Sequence, residues 1–195
     1  MPTRQRFGES LEAATLIDGV PEVLHALWAE ILAGGGLERE GIFRLSADES
    51  ELIQVKRRLN QEMPVDEAVR GASSICCAAL IKAYLRELPS DIWSAVRGSG
   101  HLDASVQEAE GALPPAQLLQ YLPQREAALL LWLCAAMEQV AMYEATNKMH
   151  VGAIAVVLAP NLLPCADDAD PMTALMHTQA TVKFMSTLLT TFRAS

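Results

Sequence analysis

Apolar residues recur at helical rather than alternating spacing along most of this chain, and caps and breakers cut the recurrence into segments. Pro21 stands where a first helical turn tolerates proline. Leu24, Leu27, Trp28, Ile31 and Leu32 follow at helical spacing until Gly34-Gly35-Gly36 ends the segment. After the stretch Leu37 to Leu45, Ser46-Ala47-Asp48-Glu49 has the form of a capping box, with Ser46 as N-cap and Glu49 at the third helical position. The helix it opens has an acidic first turn (Asp48, Glu49, Glu51) and a basic last turn (Lys56, Arg57, Arg58), both suited to the macrodipole. Leu52, Val55 and Leu59 supply its apolar stripe, and Lys56-Arg57-Arg58 reads as a solvated helix end. Ser73 or Ser74 can cap a third helix that runs to Leu88, because Pro89 pushes its predecessor out of the α region.

From Ser90 to Ala112 the apolar period lapses, and Gly98, Gly100 and Gly111 mark a loop or irregular insertion. Pro114-Pro115 opens a short helix to about Tyr121, and Pro123 starts a long one to about Tyr143. The first half of that long helix is apolar almost all round, which predicts the buried centre of a bundle. A further segment from about Met149 to Leu158 stops at Pro160. Asp170-Pro171 caps the last helix, which carries Leu175, Met176, Val182, Met185, Leu189 and Phe192. The pattern predicts an all-α, single-domain bundle of about seven to nine helices over residues 19–195, with a less regular insertion near 90–112. Residues 1–18 form a lead-in with room for a short helix.

Composition agrees with helices. Of the 195 residues 51% are hydrophobic but only 5% aromatic, so the core must be built from Leu, Ala, Val, Ile and Met. The longest apolar run, Ala127 to Met137, is about half of the roughly 20 residues that cross a bilayer, which predicts a soluble, cytoplasmic chain with no direct membrane insertion. Cys76, Cys77, Cys134 and Cys165 lack CxxC spacing and read as reduced thiols. The net charge of −9 argues against a nucleic-acid partner, which requires clustered Lys and Arg to displace counterions. A protein partner with a basic or mixed surface fits better.

No self-sufficient catalytic signature is present. There is no GxxxxGK[ST], HExxH, GxSxG or GxGxxG, and His25, His101, His150 and His177 lack metal-ligand spacing, so neither an active site of the chain's own nor a metal site is expected. Three polar features stand out instead. In Glu40-Gly41-Ile42-Phe43-Arg44, the apolar pair Ile42 and Phe43 can anchor a loop from which Arg44 projects; a local salt bridge from Arg44 to Glu40 or Asp48 is the commoner use of such an arginine. Lys82 and Arg86, four apart on the third helix, form either a solvated face with Glu87 nearby or a cationic strip that awaits an acidic partner. Asn161, placed by Pro160 in a loop, either caps a turn through its own backbone or offers a hydrogen bond to a partner.

In this order the three features resemble the Rho-GAP domain family, over the chain from about Phe7 or Gly19 to its C-terminus. Gly36-Leu-Glu-Arg-Glu-Gly-Ile-Phe-Arg-Leu-Ser46 is similar to the family's arginine-finger loop, and Leu80-Ile-Lys-Ala-Tyr-Leu-Arg-Glu-Leu-Pro89 to its Lys/Arg helix. Asn147-Lys-Met149 with Ala159-Pro-Asn-Leu162 is similar to its asparagine-bearing segment. Phe7-Gly8, Ala159-Pro-Asn161 and Asp170-Pro-Met-Thr-Ala-Leu-Met176 further resemble the Rop-type members that act on plant-type Rho GTPases. Ser90-Asp91-Ile92 lacks the second proline common after Leu-Pro, and Leu158 replaces a common Phe. No CRIB element, which Rop-type members often carry, precedes the domain, so the chain reads as a domain excised from a longer protein.

The resemblance implies an activator of GTP hydrolysis rather than an enzyme in its own right. Its partner would be a GTP-loaded Rho-family small GTPase of the Rop or Rac type, which would hold GTP and Mg²⁺, leaving this chain without a cofactor. Arg44 is implied as the finger, Glu40, Gly41 and Phe43 as support for its loop, and Lys82, Arg86 and Asn161 as GTPase-binding residues. Recruitment to membranes would come from the GTPase or from segments outside this chain. The alternative is a module of the same fold that binds a GTPase or another protein without accelerating hydrolysis.

Overall fold

A computed structural model describes residues 5–61, 63–97, 99–108, 110, 112–163 and 170–193. Gly98, Gly111 and Cys165, singled out above, lie outside them. The described chain is helical: α1 (Glu22–Ala33), α2 (Glu49–Leu59), α3 (Val65–Val69), α4 (Ser74–Arg86), α5 (Ser94–Arg97), α6 (His101–Gln107), α7 (Pro115–Leu118), α8 (Gln124–Met142), α9 (Glu144–Asn147), α10 (Val151–Leu162) and α11 (Pro171–Arg193). Short 3₁₀ turns cover Gly36–Glu38 and Leu119–Tyr121. The helix count exceeds the expected range because α5, α7 and α9 are single turns of four residues each.

Residues 5–15 form turns rather than a helix and dock on the bundle. The Arg6 guanidinium donates to the carbonyls of Leu59, Gln61 and Met63 at the end of α2, and the buried Phe7 ring meets Tyr84 edge-on at 5.7 Å. A two-residue hairpin follows, pairing β1 (Leu16–Ile17) with β2 (Val20–Pro21). Asp18 and Gly19 both take positive φ, at 51° and 81°, as the tight turn between right-twisted strands requires.

Helix α4 is the centre of the bundle, packed against α1, α2 and α10. Eight of its 13 residues are buried, against eight of 19 in α8, so the apolar character of α8 overstated its burial; Leu131 stays 41% exposed. Ser73, not Ser74, caps α4 by accepting from Cys76 N, and α4 ends at Arg86 rather than Leu88. Helix α2 begins three residues beyond Ser46. Asp48 is its cap, accepting from Glu51 N at 2.9 Å, while the Glu51 carboxylate turns away to take Ser73 N and Oγ at 2.7 Å each. Nor is the basic end of α2 simply solvated, since Lys56 reaches Glu87 Oε2 at 2.8 Å and lies 4.9 Å above the Phe7 ring centroid.

The segment 90–112, whose pattern suggested a loop, contains α5 and α6. Ile92, Trp93, Val96 and Leu102 bury there, and Trp93 stands edge-on to Phe184 of α11 at 5.4 Å. On α11 the buried residues are Thr181, Phe184, Met185, Leu188 and Leu189, whereas Leu175 and Met176 are exposed. Asp170 caps this helix through Met172 N and Thr173 N. Cys76, Cys77 and Cys134 are free and buried, and burial pushes each thiol up to about 12. No helix among the described residues is long and apolar enough to cross a membrane.

Helix α10 corrects a simple expectation about proline. It runs through Pro160 to Leu162 instead of stopping there. A proline inside a helix forfeits the bond to the carbonyl four residues back; here that residue is Val156, 56% exposed, on a face open to water. Asn161 is therefore helical, not in a loop.

Candidate functional site

The loop between α1 and α2 is fixed from three sides. After Gly35 turns left-handed and the 3₁₀ turn closes, Gly41 enters at φ 72° with its N–H on Asn147 O at 2.8 Å. Gly41 O then accepts Arg44 N at 2.9 Å and Leu45 N at 2.8 Å. Ile42 and Phe43 are buried at 0% and 1% exposure, so the loop hangs from two apolar anchors. Phe43 sits at φ 67°, a left-handed conformation that a bulky residue adopts only when its surroundings impose it. Its ring is packed, and its carbonyl accepts from the ammonium of Lys82. The backbone on either side of Arg44 is thus held, while the Arg44 side chain points out and is exposed.

Among the described residues the Arg44 guanidinium has neither a hydrogen bond nor an ion pair. The two local carboxylates do not take it. Asp48 is engaged by Ser50 Oγ and Glu51 N, which hold its carboxyl below the usual Asp value, and Glu40 stands exposed without a partner among the described residues. Among the described residues, then, neither Glu40 nor Asp48 forms a salt bridge with Arg44.

Lys82 and Arg86 lie one turn apart on α4. Burial, then the neighbouring charge of Arg86, holds the Lys82 ammonium below the ordinary lysine value. Glu87 does not relieve it, being paired with Lys56. Arg86 Nη1 donates to Asn161 Oδ1 at 3.2 Å, and Asn161 Nδ2 donates to Val157 O at 2.8 Å, which orients the amide oxygen toward the guanidinium. A continuous strip results, from Arg44 through Phe43 and Lys82 to Arg86 and Asn161. It joins the α1–α2 loop, α4 and the end of α10. A cleft of about 660 Å³ between α6 and α11 shares no residue with this strip.

Asn147 was legible only as part of a motif. It is wholly buried, with Nδ2 donating to Leu37 O at 2.8 Å and Val140 O at 2.7 Å, and Oδ1 accepting from Met149 N at 2.7 Å. The sequence offered Asn147 only within Asn147-Lys-Met149, and its bond to Leu37 spans 110 residues.

The family is settled by comparison: residues 21–167 match the model of the RhoGAP domain. The chain belongs to the RhoGAP domain family. It is 35% identical over 188 residues to Rho GTPase-activating protein 1 of Arabidopsis thaliana, an alignment covering 94% of this chain and 38% of the relative. Rho GTPase-activating protein 5 of the same plant is 34% identical over 93% of this chain and 53% of its own length. The human Rho GTPase-activating protein 1 is 33% identical, over 93% and 42%. This RhoGAP domain therefore spans between about a third and a half of such relatives. Among solved structures, human Rho GTPase activating protein 15 superposes with a TM-score of 0.79 at 17% identity, covering 97% of this chain and 91% of the other. The BH domain of Graf gives 0.71 at 19%, over 88% and 91%. At those identities the two structures speak to the fold alone: the all-α bundle that the pattern predicts and the RhoGAP fold that the motif resemblance implies.

Proposed function

We propose that this domain binds a GTP-loaded Rho-family GTPase of the Rop or Rac type and accelerates its hydrolysis of GTP, with Arg44 inserted in trans. The observation that carries the reading is the contrast at Arg44: a backbone held on both sides by Lys82 and Gly41, and an exposed guanidinium with no partner among the described residues. Family membership supplies the class of reaction.

During phosphoryl transfer charge spreads over the oxygens of the moving group, and a cation brought in by the partner stabilises it. Arginine suits this role because it stays charged and donates in a planar fork that lysine cannot reproduce. Such an arginine is worth on the order of 10³ to 10⁵ in rate, or roughly 4 to 7 kcal/mol of barrier. Holding the loop in advance removes much of the ordering cost at the moment of reaction. In this reading GTP and Mg²⁺ stay with the GTPase. Lys82 fixes the loop, and Arg86 with Asn161 presents a polar edge to the GTPase surface.

The Rop or Rac assignment rests on sequence likeness, and two of the residues that carry it have local structural roles in this fold: Phe7 lies in the core and Asp170 caps α11. Specificity must therefore be measured directly. Single-turnover hydrolysis by Rop, Rac and other Rho-type GTPases, with and without the domain, is expected to show stimulation strongest for the first two and abolished in Arg44→Ala and nearly so in Arg44→Lys. Full stimulation by Arg44→Ala would sink the assignment. Binding of the GTP form without acceleration by the wild-type domain would establish the silent module instead.

A further inference from the structure

We infer that Asn147 is a positioning residue for Arg44, setting the conformation of the α1–α2 loop through both its side chain and its backbone. The inference rests on the reading of Arg44 as the inserted cation. Every polar atom of Asn147 is committed: N–H to Tyr143 O at 2.9 Å, C=O to Gly41 N at 2.8 Å, both Nδ2 hydrogens to Leu37 and Val140, and Oδ1 to Met149 N. Two of these five bonds clamp the loop at Leu37 and Gly41, on either side of Arg39 and Glu40. The other three fix Asn147 itself to Val140 near the end of α8, to Tyr143 between α8 and α9, and to Met149 ahead of α10.

The clamp is relayed to Arg44 by one further bond, because the Gly41 whose N–H rests on Asn147 offers its carbonyl to Arg44 N at 2.9 Å. Lys148 takes the left-handed conformation at φ 61° directly after it and ends α9, so the peptide that carries the Asn147 carbonyl is turned toward the loop. Its amide reaches across 110 residues to Leu37, and an apolar residue of similar size would leave the carbonyls of Leu37 and Val140 without that donor.

The test uses Asn147→Ala and Asn147→Ser, the latter keeping a hydroxyl that can accept from Met149 N. Each is first shown to be folded by circular dichroism, then assayed with a GTP-loaded Rho-type GTPase. The stimulated kcat is expected to fall about 10- to 100-fold, the scale of an ångström-sized misplacement. KM for the GTPase is expected to change by no more than about threefold, since the loss falls on a transition-state interaction. In the Arg44→Ala background neither substitution is expected to lower the rate further, and amide exchange at Gly41, Arg44 and Leu45 is expected to quicken while α4 is unchanged. Wild-type kcat in a folded variant overturns the inference, as does an equal further loss in the Arg44→Ala background. If both variants fail to fold, Asn147 serves stability and the inference also falls. Full stimulation by Arg44→Ala alone would instead remove the reading on which it rests, a failure distinguishable from the others.

Discussion

Replacing Lys82 by methionine removes one donor to the α1–α2 loop while keeping an apolar stem in place. The lost bond, from an ammonium to the Phe43 carbonyl, is of the kind worth about 1.5–3 kcal/mol. Against it stand two gains. A neutral side chain no longer bears the burial cost that, ahead of the Arg86 charge, holds this ammonium below its ordinary value. It also ends a like-charge contact at four-residue spacing, worth a few tenths of a kcal/mol. Net global stability is therefore expected to change by about 1 kcal/mol or less, a Tm shift of about 2–4 °C at most for a domain of this size. The local effect is larger. Phe43 at φ 67° is in a conformation that costs about 1–3 kcal/mol and needs external restraint. With its carbonyl released and its ring still buried, the peptide joining Phe43 to Arg44 is free to rotate, and the guanidinium leaves its position. Stimulated single-turnover hydrolysis is expected to fall about 10- to 100-fold, with the thermal midpoint almost unmoved. An unchanged rate would refute the reasoning, and so would a fall in rate matched by a fall in folded protein.

Gly41→Ala places a Cβ on a residue at φ 72° and 2.8 Å from Leu45 Cγ; Leu45 is 46% exposed and can swing away, so the backbone strain dominates. A loss of about 1–2 kcal/mol is expected in chemical denaturation, and an unchanged midpoint would show that the loop tolerates another conformation. Acid sensitivity is expected from the two aspartate caps. Asp48, held down by Ser50 and the Glu51 N–H, and Asp170, held down by Thr173, both lie below their ordinary value of 3.8 in the folded chain. Their stabilising effect is complete above that value and is lost as pH falls through the lower folded value. The Asp48→Asn, Asp170→Asn double variant keeps both caps without titration, so its Tm is expected to fall less than wild type between pH 5 and pH 3; parallel curves would reject this account.

Helix ends were legible where the signal is local. Ser73, Pro123 and Asp170 each satisfy or replace a donor within a few residues, and each marks a boundary in the fold. Where local signals compete, the pattern is degenerate. Ser46 with Glu49 reads as the cap of α2, yet Asp48 takes that place, and the Glu51 carboxylate is drawn to Ser73. Proline misleads for the same reason at Pro160, where the cost depends on whether Val156 meets water. The candidate site divides along this line. An arginine between two apolar anchors and the start of a helix can be read from sequence. That Phe43 is left-handed cannot, because it is imposed by Lys82 from 39 residues away. Asn147 was visible as a motif residue, but its grip on the loop depends on packing that brings α8, α9 and the loop together.

The distribution of carboxylates explains why the cations of the strip remain available in a chain of net charge −9. Three acidic residues close to them in sequence have other uses: Asp48 caps α2, Glu51 holds Ser73, and Glu87 pairs with Lys56, while Glu40 stands exposed without an ion pair to Arg44. Had Glu87 reached back one turn to Lys82, the ammonium would have gained a carboxylate and the Phe43 carbonyl would have lost its donor. Turning Glu87 toward Lys56 thus does two things at once. It ties α2 to α4, and among the described residues it leaves Lys82 no acceptor but the loop. A half-buried lysine beside an arginine and a left-handed phenylalanine are both locally unfavourable, and their costs fall in one place, next to the one arginine of the loop whose backbone they restrain. Concentrated local strain of this kind persists only when the surrounding packing over-determines it. Here that packing is supplied by α4, by Asn147 and by the buried ring of Phe43, none of which requires the guanidinium itself.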